Sequence, residues 1–160
     1  MLIILINILK IAFLLGFIIL IHECGHLFMA KWCKVKVKEF AVGFGPAIWK
    51  RQGKYTKYSL RLIPLGGFTN MLGEEERSEE EGSFNKAGII KKILILLAGG
   101  VVNILFGLII YFIVAIIFTS NISDAFWSTV NFSAVVIDSL KQLFSGTISV
   151  NDLMGPVRSI

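Results

Sequence analysis

The stretch I-H-E-C-G-H-L, residues 21–27, places the pattern H-E-x-x-H inside a long apolar segment. Residues four apart in a helix lie on one face, about one 5.4 Å turn apart, so His22 and His26 can present imidazole nitrogens to one zinc ion. Glu23 lies beside them, where its carboxylate can take a proton from water that zinc has acidified. The pattern therefore predicts zinc-dependent hydrolysis of a peptide bond.

A simpler interpretation is that His22 and His26 make ordinary hydrogen bonds near a helix end. The chain contains two histidines, and both fall inside the motif. They lie in an apolar helix, where ionisable side chains without a metal or a partner are costly. This location favours the metal site, with Glu23 as the catalytic base.

The two cysteines do not extend the predicted site. Cys24 and Cys33 would lie about 13 Å apart along a continuous helix, which is too far for a disulfide. Cys24 points away from the face that carries His22, and Cys33 lies too far along the axis. We expect neither cysteine to bind the metal.

Composition and charge indicate a membrane protein. The chain has 160 residues, 55% of them hydrophobic, and a mean hydropathy of +0.75. Thirteen of its 16 lysines and arginines lie between Lys31 and Lys92. The positive-inside rule therefore places 31–92 in the cytoplasm, with the N-terminus and the residues after about 120 outside. The basic residues flank membrane segments, so nucleic-acid binding is not expected.

Two apolar segments predict transmembrane helices, at about 5–31 and at 92–119. In the first, the 20 residues between Lys10 and Lys31 would span about 30 Å, one hydrocarbon thickness. Between these helices, 34–70 predicts short strands with glycine turns at Gly43-Phe44-Gly45-Pro46 and Pro64-Leu65-Gly66-Gly67. This region is either a small cytoplasmic sheet or a sheet edge that holds an extended substrate beside the zinc.

The remaining segments are more polar. Residues 71–88 contain the acidic run E-E-E-R-S-E-E-E, which predicts a solvated cytoplasmic loop. Residues 121–160 predict an amphipathic helix followed by a G-P-V segment. The predicted fold is thus a mainly α membrane protein with a membrane-associated β-hairpin region between its first two helices.

The second membrane segment contains Gly99, Asn103 and Gly107, four residues apart. This small–polar–small stripe is typical of close packing between membrane helices. Asn103 is either a polar contact between helices or an amide that hydrogen-bonds substrate or zinc-bound water. The spacing alone does not separate these two roles.

Five motifs occur in order along the chain: H-E-C-G-H, G-F-G-P, P-L-G-G-F, A-G-G-V-V-N and L-M-G-P-V. Together they resemble the site-2 protease family of intramembrane zinc metalloproteases. The resemblance implies Zn²⁺ as cofactor, a bacterial inner-membrane location and hydrolysis of single-pass membrane proteins, such as anti-sigma factors or remnant signal peptides. The residues that it implies are zinc ligands His22 and His26, base Glu23, and substrate-binding residues Asn103, Gly43, Gly45, Gly66 and Gly67.

The sequence also departs from the family pattern. Gly100 replaces a proline of the second-helix motif, and no PDZ domain precedes the G-P-V segment. The family's third zinc ligand is an aspartate of an L-D-G motif, which does not occur in this chain. We therefore expect an N-terminal portion of the family fold, completed by a C-terminal portion or a second copy. A non-catalytic adaptor that binds transmembrane helices is the alternative.

Overall fold

The computed structural model describes residues 2–145 of the chain. It is mostly helical with one antiparallel hairpin, which confirms the predicted mainly α architecture with a small β region. The predicted G-P-V segment lies outside the described residues. The elements are α1 Leu2–Trp32, β1 Val37–Gln52, β2 Lys57–Met71, a 3₁₀ turn Phe84–Lys86, α2 Ile89–Thr119 and α3 Ile122–Ser145.

Helices α1 and α2 are each 31 residues long, about 46 Å, and apolar enough to cross a membrane. Their large side chains point outward around the helices: Ile3 is 74% exposed, Ile89 76% and Phe118 84%. A water-soluble helix would bury such a surface, because exposed apolar area is unfavourable in water. Outward apolar side chains suit a lipid environment.

The chain divides into two compact units, residues 1–106 and 107–160. Within the second unit, the rings of Tyr111 and Phe132 stack with centroids 4.4 Å apart. Helix α3 begins after Asn121, whose side-chain oxygen accepts a hydrogen bond from the Ser123 amide at 2.9 Å. This contact satisfies one of the free amides that every helix leaves at its N-terminus.

Both strands of the first unit are bent, and the bends divide the sheet into four segments. Residues 37–42 of β1 pair with 67–71 of β2, and 47–52 pair with 57–61. The first of these β1 segments also lies beside the β2 segment that starts at Lys57. The outer segments of the sheet are therefore 47–52 and 67–71, each with one strand neighbour among the described residues.

The hairpin packs along α1. A Cβ added to Gly16 would lie 2.9 Å from the Gly66 backbone nitrogen, so helix and strand are in direct backbone contact. At the other end, the Lys31 ammonium donates a hydrogen bond to the Tyr58 hydroxyl. A small core lies between these elements and α2, formed by Ala30, Cys33, Val35, Val37, Met71 and Ile95.

The strand pattern begins later than the sequence predicted. The alternation starts at Lys34, but Lys34 has a positive φ of 62° and follows the end of α1. This left-handed residue closes the helix, and its amide bonds to the Lys31 carbonyl at 3.1 Å. The alternating segment therefore forms a strand only from Val37 onward.

The acidic loop is exposed at Glu74, Glu75 and Glu76. Its path is fixed by Asn85, whose side-chain oxygen accepts a hydrogen bond from the Ser78 amide at 3.2 Å. The Asn85 amide nitrogen also donates to the Ser78 carbonyl at 3.2 Å. The loop is thus a solvated turn tied to the start of α2.

Candidate metal centre and active site

The H-E-x-x-H motif lies in α1, about 7–13 Å along the axis from Lys31. His22, Glu23 and His26 are all half-buried. The two imidazole rings are neighbours, with centroids 4.7 Å apart and planes inclined by 76°. The helical spacing of four residues therefore brings the two predicted ligands together on one face.

The ring nitrogens converge on the backbone of α2. A Cβ built on Gly99 would lie 2.6 Å from Nε2 of His22 and 2.6 Å from Nε2 of His26. Both Nε2 atoms thus border the same small volume beside Gly99. Zinc binds imidazole nitrogen at about 2.0–2.1 Å, so two nitrogens that share one volume fit two positions of a zinc site.

The tautomer of His26 is fixed by α2. Its Nδ1 lies 2.7 Å from the Ile95 carbonyl oxygen. A carbonyl oxygen can only accept, so Nδ1 carries the hydrogen and donates it. The Nε2 lone pair is then free for a metal, which is the usual arrangement of a metal-binding histidine.

Asn103 lies beside the other ligand. Its side-chain nitrogen is 3.5 Å from Nδ1 of His22, a long contact for a hydrogen bond. The oxygen and nitrogen of an amide are interchangeable by a half-turn of the side chain. With the oxygen toward His22, Asn103 would accept the Nδ1 hydrogen and leave Nε2 of His22 free for a metal.

Strand β2 reaches the catalytic motif. The Thr69 hydroxyl donates a hydrogen bond to the backbone carbonyl of Glu23 at 3.1 Å. Thr69 lies in the outer segment 67–71 of the sheet. One edge of the hairpin therefore runs next to the residue predicted as the base.

The predicted glycines lie at the bends of the sheet. Gly43 and Gly45 both have φ of 86° and Gly66 has φ of 74°, a region that disfavours side chains. A Cβ on Gly66 would meet Ile19 at 3.1 Å, three residues before His22. Gly67 packs against strand β1 and not against α1: a Cβ added to Gly67 would collide with the Ala41 carbonyl oxygen.

A partly exposed ion network joins the two strands of the same hairpin. The Glu39 carboxylate accepts hydrogen bonds from Ser59 at 2.7 Å, Arg61 at 3.1 Å and Lys57 at 3.3 Å. Burial acts to raise the pKa of Glu39, but these three donors outweigh burial and lower the pKa below its ordinary value. Arg61 also donates to the Gly45 carbonyl at 3.0 Å, which ties the bend to the network.

A third metal ligand is not found in the part of the chain that the structure describes. Among residues 2–145, no three His, Cys, Asp or Glu side chains cluster as a metal site. Cys24 is exposed and Cys33 buried, and both are free thiols, in accord with the prediction of no disulfide. The described donor set is therefore His22 and His26, with Glu23 beside them.

Three structural features of the site were not predicted from the sequence. They are the Ile95 carbonyl, the Thr69 hydroxyl and the close approach of Gly25 to α2, where an added Cβ would lie 2.6 Å from the Ala98 carbonyl oxygen. The small residues of the run A-G-G, 98–100, indicate close contact with another helix. The sequence does not show which residues of that helix they contact. Backbone carbonyls leave no mark in a sequence.

Curated proteins with similar sequences include a named zinc metalloprotease and two RseP proteases. The chain is 41% identical over 99 residues to a protein of Clostridium acetobutylicum that is classed by name as a zinc metalloprotease, which covers 62% of this chain and 29% of that protein. It is 39% identical over 108 residues to protease RseP of Yersinia pestis, and this match covers 64% of the present chain and 24% of RseP. It is 40% identical over 110 residues to regulator of sigma-E protease RseP of Salmonella typhimurium, again covering 64% and 24%.

The chain spans less than a third of the length of these curated relatives. The model of peptidase family M50 matches residues 10–160, nearly the whole chain. The paired imidazoles, the adjacent glutamate and this match lead to one conclusion: the chain belongs to peptidase family M50, the site-2 proteases.

Proposed function

We propose that this chain carries the zinc-binding and proton-transfer centre of an intramembrane metalloendopeptidase. The observation that carries the proposal is the convergence of His22 and His26 Nε2 within an apolar helix long enough to span a bilayer. Substrates would be single-pass membrane proteins, such as anti-sigma factors or remnant signal peptides. The enzyme would lie in the bacterial inner membrane, with the hairpin on the cytoplasmic side.

His22 and His26 would hold Zn²⁺ through Nε2. Zinc, when bound, would polarise a carbonyl group and acidify water. A catalytic zinc site has three protein ligands, so the third must come from beyond residues 2–145 or from a second copy. His26 is held for this role by the Ile95 carbonyl, and Asn103 would orient His22.

Glu23 would move the protons of the reaction. Its carboxylate oxygens would accept a proton from the attacking water and deliver it to the departing amide nitrogen. The Glu23 backbone is held by Thr69, so strand β2 and the base keep a fixed spacing. The apolar surroundings on α1 and α2 would limit access of bulk water to this step.

The hairpin would hold the substrate in extended form. A peptide bond inside a helix is hydrogen-bonded and shielded, so the segment to be cut must unwind. The outer segment 67–71 has one strand neighbour in the described structure and contacts α1 at Glu23. An unwound substrate could pair with such an edge through its backbone. The predicted substrate-binding glycines Gly66 and Gly67 are buried against Ile19 and the Ala41 carbonyl, so they would shape this edge rather than touch the substrate.

A cleavage assay in nanodiscs tests the proposal. Its substrate is a model single-pass protein that carries a signal-peptide segment and two epitope tags. Glu23→Gln should abolish cleavage while leaving pull-down of the substrate intact. The matched control is Glu75→Gln, an exposed loop residue, which should cleave normally. Measurable cleavage at the same rate by wild type and Glu23→Gln would exclude Glu23 as the base.

The second candidate is an adaptor that binds transmembrane helices without cutting them. This candidate is favoured because residues 2–145 contain two imidazoles but no group of three metal ligands, whereas a catalytic zinc needs three. Under this hypothesis, wild type and Glu23→Gln would capture the model substrate equally and neither would cleave it. Zinc content per chain, measured in a defined free-zinc buffer, adds a second test: about one zinc per chain that His22→Ala removes would favour the enzyme over the adaptor.

A further inference from the structure

We propose that Gly99 is a positioning residue for the metal centre: its missing side chain lets the α2 backbone support both imidazoles at once. This inference rests on the proposed zinc site. It concerns a residue that has no side chain with which to bind the metal. The sequence marked Gly99 as part of a helix-packing stripe, whereas the structure places it directly against the two predicted ligands.

The first step is steric. A Cβ on Gly99 would lie 2.6 Å from Nε2 of both histidines and 2.7 Å from Cδ2 of His22. Contacts below 3.0 Å require the atoms to shift, because carbon and nitrogen repel strongly at that range. No positive φ is found at Gly99, so its backbone would itself accept alanine. The requirement for glycine therefore comes from the imidazoles.

The second step is that the rings have little freedom to retreat. His26 is held by its hydrogen bond to the Ile95 carbonyl at 2.7 Å, one turn before Gly99. His22 contacts Asn103, one turn after Gly99. A methyl group at residue 99 would thus push on one ring that is held by a short hydrogen bond and on a second ring that is bordered by Asn103.

The third step is that the helices cannot easily slide to make room. Gly25 lies between the two histidines in sequence and faces α2, where an added Cβ would meet the Ala98 carbonyl oxygen at 2.6 Å. The two backbones are therefore already in contact at Gly25. The imidazoles and the α2 backbone are therefore closely packed, with both Nε2 atoms beside one shared volume.

The chain offers a matched control in Gly100. No atom of the described structure lies within 4 Å of a Cβ added there. Both glycines are in α2, and alanine raises helix propensity to the same extent at either position. A difference between Gly99→Ala and Gly100→Ala therefore reports the contact with the histidines and not a general effect on the helix.

The test is zinc binding to the chain in nanodiscs, by equilibrium dialysis against buffered free zinc. We expect Gly99→Ala to bind zinc at least about 10-fold more weakly than wild type, and Gly100→Ala to bind it normally. Wild-type-like affinity of Gly99→Ala overturns the inference and leaves the zinc site intact. Failure of wild type itself to bind zinc overturns the zinc site and this inference with it.

A second measurement covers the case in which Gly99→Ala does not fold. The substitution is repeated in a chain with His22→Ala and His26→Ala, where a methyl group at 99 has room. Recovery of monodisperse, thermally stable protein in that background supports the inference, because the clash is then with the imidazoles. Equal destabilisation with and without the imidazoles overturns it.

Discussion

Nδ1 of His26 donates a hydrogen bond to the Ile95 carbonyl oxygen over 2.7 Å, and so joins the H-E-x-x-H motif of α1 to the backbone of α2. This bond predicts one tautomer for the metal-free ring, with hydrogen on Nδ1. Ring ¹⁵N NMR can check it, because both histidines of the chain lie in the motif. A His26 ring that carries no hydrogen on Nδ1 would contradict the structure.

Removing either ligand should weaken zinc binding more than removing the neighbouring amide. We expect His22→Ala and His26→Ala to lose zinc at concentrations that saturate wild type, since each provides a direct donor. Asn103→Ala should cost about 10-fold in zinc affinity, the lower end for a residue that orients a ligand, because its contact with His22 is 3.5 Å long.

The control for Asn103→Ala is Asn131→Ala, an exposed residue of α3. Zinc content is measured after dialysis at a fixed free-zinc concentration. An Asn103→Ala variant that retains wild-type affinity would leave this residue as a polar contact between helices, the alternative that the sequence had left open.

The Glu39 network should make hairpin stability depend on pH. The pKa of Glu39 is lower in the folded state than its ordinary value of 4.5, so the network stabilises the fold fully above that value. Stability is lost as pH falls through the lowered pKa. At neutral pH, Glu39→Gln should cost about 2 kcal/mol, because Arg61 and Lys57 lose a charged acceptor.

Thermal unfolding of wild type and Glu39→Gln from pH 7 to pH 3 measures this effect. The difference between them should shrink below about pH 4.5. Glu80→Gln is the control, since its ion pair with Lys36 is exposed and should contribute less than about 1 kcal/mol. A difference that stays constant across this range would exclude ionisation of Glu39 as its source.

Contact between α1 and the hairpin should depend on glycine at position 16. Gly16→Ala would place a methyl group 2.9 Å from the Gly66 backbone nitrogen, so we expect segment 63–71 to loosen. Hydrogen exchange of that segment should speed up about 10-fold or more, since part of its protection comes from packing on the helix.

Gly100→Ala is the matched control for this effect, because Gly100, like Gly16, lies inside a long helix and a Cβ there meets no atom of a neighbouring element within 4 Å. Cleavage of the model substrate is measured in parallel. Unchanged exchange in Gly16→Ala would mean that the hairpin and α1 separate easily, against the close backbone contact at Gly66.

The hairpin turn between β1 and β2 should lie on the cytoplasmic side. A single cysteine at Lys54, in a chain with Cys24→Ala and Cys33→Ala, should react with a membrane-impermeant maleimide in inverted vesicles and stay protected in intact spheroplasts. The reverse labelling pattern would contradict the positive-inside assignment of 31–92.

The sequence by itself determined the position of the H-E-x-x-H motif, the two long apolar helices and the presence of a β region between them. The spacing of His22 and His26 fixes their common face, because helical geometry repeats every 3.6 residues. The length and apolarity of α1 and α2 can be read directly from the chain. Site-2 protease membership likewise followed from motifs in order.

Tertiary structure decided how these parts meet. The sequence predicted several short strands, whereas the structure has two bent strands whose outer segment reaches Glu23 through Thr69. It also showed that Gly99 lies against both imidazoles and that Ile95 supplies a carbonyl to His26. These contacts depend on helix rotation, on bend angles and on backbone atoms that every residue shares, and such quantities have no sequence pattern.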